Sequence, residues 1–198
     1  LHEELSAGFP ALTGQAPLRI GSGITIANFH LPTILRRCRR LDGFPSVRVT
    51  VDQAGRIEEA LLNSELDVAL IEGVVRHPHL IRQPFSSYDM AAFCAPSHPL
   101  ATRSPLSLDD LLTAELLLRE PPAWTSVNSP ALAAAAREGL GVAVLPACLT
   151  EADVAAGRLV RLEVEGLTLR NQNQLVVHRD KTITPPLRLF MEAVTAEE

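Results

Sequence analysis

The sequence predicts an α/β chain built as two units, with the backbone passing between them twice. Three observations lead there. Short runs rich in β-branched residues alternate with stretches of helical apolar spacing, as strand–helix–strand units require. The run Asp67-Val68-Ala69-Leu70-Ile71 is apolar after its first residue, as in a strand of a parallel sheet buried on both faces. A last strand and helix, 174–178 and 186–196, follow after a second set of elements is complete and so return to finish the first.

Taken in order, LRIGS at 18–22 is a strand running into a Gly-Ser-Gly turn. From 26 to 41, Ala27, Leu31, Ile34, Leu35, Cys38 and Leu41 keep helical spacing. Pro32 is comfortable only in a first turn, so regular helix either begins near Phe29 or begins at Ile26 with a kink. VRVTV at 47–51 alternates as a strand does. A short helix at 56–63 carries Ile57, Ala60 and Leu61 on one face, and strands follow at 67–71 and 80–85. This β-α-β-α-β order calls for right-handed crossovers. The next strand is 90–95. Ser107-Leu108-Asp109-Asp110 then reads as a capping box opening a helix to Leu112. Strands at 116–119 and 123–126 precede a helix at 131–138, with Ser129-Pro130 as N-cap and N1 and Gly139 just past its end. A buried strand at 142–145, a helix at 148–156 and a strand at 159–164 complete this set. The final helix, 186–196, turns Leu187, Phe190, Met191 and Val194 inward. The first unit thus takes 18–87 with 168–198, the second takes 88–167, and 1–17 is a linker. Two connections between the units imply a hinged pair of lobes with a cleft.

One junction conflicts with this scheme. Only Glu120-Pro121-Pro122 separates the strands 116–119 and 123–126, whereas parallel neighbours need a crossover of about a dozen residues or more. Either the two pair antiparallel across a tight turn, or a helix-bearing crossover is absent near 121–123. The second is expected.

Composition narrows the function. With 46% hydrophobic and 21% charged residues, the chain is globular rather than disordered or fibrous. Its net charge of −5 argues against a nucleic-acid-binding surface within this chain. No apolar run reaches the ~18 residues of a membrane span. The start, LHEELSAGFPALTGQ, lacks a signal-peptide pattern, and Leu1 in place of Met implies that upstream sequence has been removed. Cys38, Cys94 and Cys148 are odd in number, far apart and set in apolar runs, which reads as reduced, buried thiols of a cytoplasmic protein.

Catalytic signatures are missing. There is no Gly-x-Ser-x-Gly, no phosphate-binding Gly-x-x-x-x-Gly-Lys-Ser/Thr and no His-Glu-x-x-His, and Gly21-Ser22-Gly23 lacks the third glycine of a dinucleotide site. His30, His77, His79, His98 and His178 are scattered, and His77-Pro78-His79 alone is too short and stiff to chelate. No catalytic residue, metal or cofactor is expected. The better site is the strand-to-helix turn of Ser22, Gly23, Ile24 and Thr25. Ligands of open α/β sheets bind beyond the carboxyl ends of strands, and backbone N–H groups at a helix start favour an anion. The competing reading is that Ser22 and Thr25 only cap the helix. A matching turn, Thr125, Ser126 and Asn128, opens the helix of the second unit, with Ser129 as the competing cap. Trp124 is core or cleft wall. Arg36, Arg37, Arg39 and Arg40 form a basic cluster on the first long helix, either a solvated face or a subunit contact.

The ordered set LRIGSGITIANFHLPTILRRCRRLDGFPSVRVTV, LLNSELDVALIEG, AAFCAPSHPLA, LSLDDLL, ALAAAAREGLGVAVLPACL and AAGRLVRLEVEG resembles the effector-binding domain of LysR-type transcriptional regulators, from Leu18 onward. Each motif is weak alone, and the order is what is specific. The resemblance implies two Rossmann-like subdomains joined by two crossover strands, like a type 2 periplasmic binding protein, with a small-molecule effector in the cleft. It implies effector contacts at Ser22, Gly23, Ile24, Thr25, Thr125, Ser126 and Asn128. It also implies a homodimer or homotetramer using the helix at 28–41, with Phe29, Thr33, Arg36, Arg37 and Arg40 at the interface. DNA would be bound only through an N-terminal winged helix-turn-helix absent from this chain, whose linker helix would end within 1–8. Two departures stand out. Ser64-Glu65 replaces a frequent glycine, from which a different helix C-cap is expected, and the family's crossover between Pro121 and Ala123 is missing. The leading function is therefore an effector-sensing regulatory domain that binds a small, anionic metabolite in the cytoplasm, with no membrane partner. A solute-binding protein of a transport system is the alternative, and an enzyme on the same fold a third.

Overall fold

The computed structural model describes residues 16–118, 124, 125 and 128–196. In chain order the elements are β1 (Leu18–Ser22), α1 (Ile24–Phe29), α2 (Leu31–Cys38), β2 (Val47–Val51), α3 (Ala54–Leu62), β3 (Val68–Glu72) and β4 (Leu80–Cys94). A single 3-10 turn at Pro99–Thr102 is followed by α4 (Leu108–Leu112), β5 (Leu116–Leu118), β6 (Trp124–Thr125), α5 (Ser129–Arg137) and β7 (Val142–Pro146). Then come α6 (Ala147–Ala155), β8 (Val160–Leu162), β9 (Leu169–His178) and α7 (Pro185–Thr195). The chain divides into unit 1, which runs to Ser86 and resumes at Gln172, and unit 2, Ser87–Asn171. It passes between them inside β4 and inside β9. Because those two strands serve both units, the ladders join in one path, β2-β1-β3-β9-β4-β7-β5-β6, with β8 on β4.

In unit 1, β1 pairs in parallel with β2 and with β3, placing Ser22 beside Leu70, and β9 runs antiparallel to β3. The apolar run of β3 is buried on both faces, as its composition predicts. Val68 and Leu70 join Ile20, Ile26, Ile34, Leu187 and Phe190 in one core, while Ala69 and Ile71 join Ile57, Leu61 and Val176 in the other. The first long helix is broken rather than continuous. His30 (φ −113°, ψ −46°) ends α1, and α2 restarts with Pro32 in its first turn, where its missing N–H costs nothing. Helix α3 ends in the left-handed cap that glycine commonly supplies, except that Ser64 adopts it, at φ 59°. The C-cap geometry is thus glycine's own and not a different one.

Asp67 anchors the entry to β3. It accepts from the Arg19 backbone N–H at 2.8 Å and from the Arg19 guanidinium at 2.8 Å, and Lys181 donates to the same carboxylate. Burial pushes the Asp67 carboxyl up, but the hydrogen bonds from Arg19 and Lys181 together outweigh burial and hold it at about 2.

In unit 2, alternate residues of β4 enter separate cores. Ala91 and Phe93 pack with Leu117, Leu132 and Leu145, and Ala92 and Cys94 with Leu106, Leu111 and Leu162. The capping box of α4 forms as expected, Ser107 accepting from the Asp110 N–H and Asp110 from the Ser107 N–H. Helix α5 starts at Ser129, two residues before the expected 131, with Asn128 and not Ser129 at the N-cap, and Gly139 follows its end at φ +78°. Asp153 joins the end of α5 to the turn after α6, taking Arg137 and Arg158 each at 2.7 Å.

The two strands expected at 80–85 and 90–95 are one strand, β4. Ser86, Tyr88 and Asp89 look like linker residues but are met by polar partners on β9. Asn173 donates to the Ser86 hydroxyl at 2.8 Å, Asn171 to the Tyr88 hydroxyl at 3.0 Å and Arg170 to Asp89 at 3.0 Å. Strand β5 pairs with β6 in parallel, Leu118 opposite Thr125, so the antiparallel alternative is not realised. The linker expected over 1–15 and the junction at 119–123 lie outside the described residues.

Candidate functional site

The turn after β1 is set by hydrogen bonds from both neighbouring strands. The Gly23 N–H donates to the Leu70 carbonyl at 2.9 Å, and the Asp52 N–H to the Ser22 carbonyl at 3.2 Å. Gly23 is the N-cap of α1 and no side chain of the cap position bonds to the helix, so the capping alternative for Ser22 and Thr25 is not what the turn does. Ser22 is fully buried, its Oγ donating to the Gly23 carbonyl at 3.0 Å, and Thr25 is buried, while Ile24 is half-buried.

Glu72, at the end of β3, supplies what the cap lacks. Its Oε1 accepts from the Ile26 N–H at 3.1 Å. Parallel pairing of β1 with β3 carries this carboxylate over the start of α1. A Cβ on Gly23 would stand 2.3 Å from Glu72 Oε2, so a side chain there and this carboxylate position exclude each other. The N–H groups of Ile24 and Thr25 have no hydrogen-bond partner among the described residues. Two backbone donors therefore remain beside one resident carboxylate. Asn173 lies opposite Glu72 in the β3–β9 register and is fully buried. Its Oδ1 and the Oε1 of buried Gln174 have no hydrogen-bond partner among the described residues. Buried acceptors in that state cost about 1–3 kcal/mol each, so a donor that reaches them is strongly favoured.

Sequence reading missed Glu72 and Asn173. The signal for Glu72 was present, since an acid closes the apolar run of β3 two residues beyond the register partner of Ser22. Asn173 carried no comparable signal, because its value depends on the register of β9.

In unit 2, Thr125 ends β6 and is described by its backbone, and Ser126 lies outside the described residues. Asn128 occupies the N-cap position of α5 without a side-chain capping hydrogen bond, and it is exposed. The side chain of Trp124 is likewise outside what is described.

Of the proposed interface residues, Phe29, Thr33, Arg36 and Arg37 lie along α1 and α2, and Arg40 lies just past the end of α2. Phe29 is 39% exposed, Arg36 and Arg40 are exposed, and Thr33 is half-buried. Arg37 is partly occupied within unit 1, donating to the Ala196 carbonyl at 3.2 Å. Phe29, Thr33 and Arg37 line a hollow of about 240 Å³ together with Phe85 and Val194. Cys38 and Cys94 are buried as expected, whereas Cys148 is half-buried, and all three are free thiols.

Comparison with known proteins gives a consistent picture. The family described as "LysR substrate binding domain" matches residues 13–128 and 121–198. The HTH-type transcriptional regulator YeiE of Escherichia coli (strain K12) is 28% identical over 195 positions that take in 88% of this chain and 66% of that protein. This chain therefore spans about two thirds of that relative's length. Because 88% of 198 residues is fewer than 195, the relative also holds residues within the matched span that have no counterpart here. Among solved structures, the Synechocystis PCC6803 CcmR regulatory domain in complex with 2-PG has a TM-score of 0.80 at 18% identity, covering 91% of this chain and 96% of that one. The effector binding domain of QuiR in complex with shikimate has a TM-score of 0.79 at 14% identity, covering 92% and 96%. These likenesses show the fold, two Rossmann-like subdomains of the type 2 periplasmic-binding-protein kind, and with the family match across nearly the whole sequence they establish that this chain belongs to the LysR substrate-binding domain family.

Proposed function

We propose that the chain is the sensor of a DNA-binding transcriptional regulator, and that its effector is a small polar metabolite held by the Ser22–Thr25 turn of unit 1 together with Thr125, Ser126 and Asn128 of unit 2. The observation that carries the unit 1 half is the pairing of unlike groups. The Ile24 and Thr25 N–H donors suit an anionic oxygen, and the Glu72 carboxylate and Asn173 Oδ1 suit a donor on the same molecule. A carboxylate or phosphate bearing a hydroxyl or amino group meets both. An anion without a donor meets repulsion from Glu72.

Effector binding acts only through its different affinity for two arrangements of the protein, and about 1–3 kcal/mol of difference is enough for regulation. Protomer packing through Phe29, Thr33, Arg36, Arg37 and Arg40, in a homodimer or homotetramer, relays the bias to winged helix-turn-helix heads at the N-terminus of the whole regulator. The protein acts in the cytoplasm as a sensor and not as an enzyme. No helix of the described residues is long and apolar enough to cross a membrane. The domain boundaries follow the passages in β4 and β9, and the helix-bearing crossover between β5 and β6 is missing from this chain. The two family matches meet at 121–128, beside that parallel pair.

Thermal unfolding across a panel of hydroxy and amino acids and sugar phosphates tests the reading. A ligand at ~100 times its dissociation constant adds ~2.7 kcal/mol. Thr25→Val, which keeps the buried shape and both backbone donors and removes only the hydroxyl, weakens that gain, and Glu72→Ala, which removes the resident acceptor, abolishes it for a ligand that brings a donor. Undiminished stabilisation of Thr25→Val alone would remove that hydroxyl from the site, undiminished stabilisation of both variants would remove this turn, and turnover of the ligand would replace the sensor with an enzyme.

A further inference from the structure

Two connections of unit 1 bring together imidazoles that are far apart in sequence. His77 and His79 lie between β3 and β4, and His178 and Asp180 lie where β9 leaves the sheet for α7. Strand β9 runs antiparallel to β3 with Ala69 opposite Val176, so its last residues reach the start of β3. That is the edge of the sheet remote from the Ser22–Thr25 turn. The Arg179 N–H donates to the His79 carbonyl at 2.7 Å and fixes one connection against the other.

A ring nitrogen of His79, a ring nitrogen of His178 and a carboxylate oxygen of Asp180 all lie within 4.8 Å of one another. The His79 and His178 rings are 5.8 Å apart between centroids, and the His77 ring stands 5.5 Å from that of His79. His178 is half-buried, and its orientation is held by the Asp180 N–H, which donates to its Nδ1 at 3.2 Å. The Asp180 carboxylate is 3.9 Å from the same nitrogen, and with the Nδ1 lone pair taken by the N–H the nitrogen left to a metal is Nε2. His77 accepts from the His79 N–H at 3.3 Å.

We propose that His79, His178 and Asp180 form a site for a borderline divalent transition metal, with Zn²⁺ as its type and His77 beside it for a fourth position. Imidazole nitrogen and a single carboxylate are the donors such ions prefer, whereas Ca²⁺ and Mg²⁺ call for more oxygen ligands. Metal–ligand bonds of about 2.0–2.2 Å place tetrahedral donors about 3.3 Å apart. His79 and Asp180 are exposed, which leaves their side chains room to close from at most 4.8 Å at present toward that spacing, while His178 is the fixed member. The short His77-Pro78-His79 segment cannot chelate alone, and the fold supplies the partners it lacks. A bound ion would staple the beginning of β4 to the end of β9, the two strands on which the chain passes between its units.

Calorimetric titration of the whole chain with Zn²⁺ decides the matter. The unaltered protein binds one ion. His79→Asn and His178→Asn each weaken binding by more than the roughly tenfold that losing even an outer hydrogen-bond partner of a metal site costs. His79 is exposed and its substitution leaves metal-free unfolding unchanged. His98→Asn, in unit 2, leaves binding unchanged. Absence of saturable binding, equal binding by the His79 variant, or equal loss in the His98 variant would each overturn the site. With Co²⁺ as probe, the complex shows ligand-field absorption without a thiolate charge-transfer band, and such a band would move the metal to a cysteine and overturn it as well.

Discussion

Gly23→Ala isolates the part that Glu72 plays at the start of α1. The backbone at Gly23 (φ −64°, ψ 156°) is one that alanine adopts freely, so the substitution brings no dihedral strain. It even restricts the unfolded chain, which by itself stabilises by about 0.4–1 kcal/mol. The new methyl meets Glu72 Oε2 at 2.3 Å and Cδ at 2.8 Å. These are the far end of a flexible side chain, so Glu72 swings away and the Ile26 N–H loses its acceptor at 3.1 Å. Loss of a helix-start acceptor costs about 0.5–2 kcal/mol, and loss of a carboxylate from the positive end of the helix about 0.3–1 kcal/mol. The net destabilisation is about 1 kcal/mol, read as a lower urea midpoint at unchanged slope. The decisive comparison is the same substitution made in a Glu72→Ala background. With no carboxylate to displace, Gly23→Ala is neutral or stabilising there, and the two sites show a coupling of about 1 kcal/mol. Equal destabilisation in both backgrounds would refute the account, because the methyl would then be clashing with something other than Glu72.

Further outcomes follow from the same geometry. Gly21→Ala is the harsher change, since its methyl would meet Leu66 at 2.6 Å and Ile57 at 2.7 Å inside a packed core. It costs about 1–3 kcal/mol by overpacking, and a urea midpoint no lower than that of Gly23→Ala would contradict this. The Asp67 carboxyl is held at about 2, below its ordinary 3.8, so its contribution is complete above the ordinary value and lost as pH falls toward 2. Asp67→Asn lowers stability at neutral pH by about 1–2 kcal/mol after allowing for the partly exposed Arg19 partner. It also narrows the gap to the parent protein between pH 4 and 2, measurable by urea unfolding at each pH. Ser64→Gly relieves a left-handed serine worth about 1–2 kcal/mol, gives back about 0.4–1 kcal/mol to a freer unfolded chain, and raises the melting temperature by the small remainder. Burial pushes the Cys94 thiol to about 11 and raises those of Cys38 and Cys148 as well. Iodoacetamide at neutral pH therefore reacts slowly, and first at half-buried Cys148, as mass spectrometry of the native protein can show.

The unequal legibility of these features has a physical cause. Where burial alone decides, the residue pattern carries the answer. Val68, Leu70, Ala69 and Ile71 alternate into two cores, and a continuous apolar run announces that. Likewise Gly139 and the Ser107–Asp110 box are local devices whose partners lie within one turn of helix. Where a polar group is matched by a distant one, the pattern misleads. Ser86, Tyr88 and Asp89 read as a break because their partners Asn173, Asn171 and Arg170 lie on β9, so β4 is divided on paper and continuous in space. Ser64 stands where glycine is frequent, and only its φ of 59° shows that the backbone geometry was kept and its cost accepted. The same reasoning separates the two polar clusters of unit 1. Glu72 and Asn173 sit directly opposite in the β3–β9 ladder, and His178 reaches His79 only because that ladder continues to its other end. One register therefore places acceptors beside the helix start at one edge and imidazoles at the opposite edge. A slip of β9 by one residue would turn Asn173 to the other face and carry His178 away from His79 together.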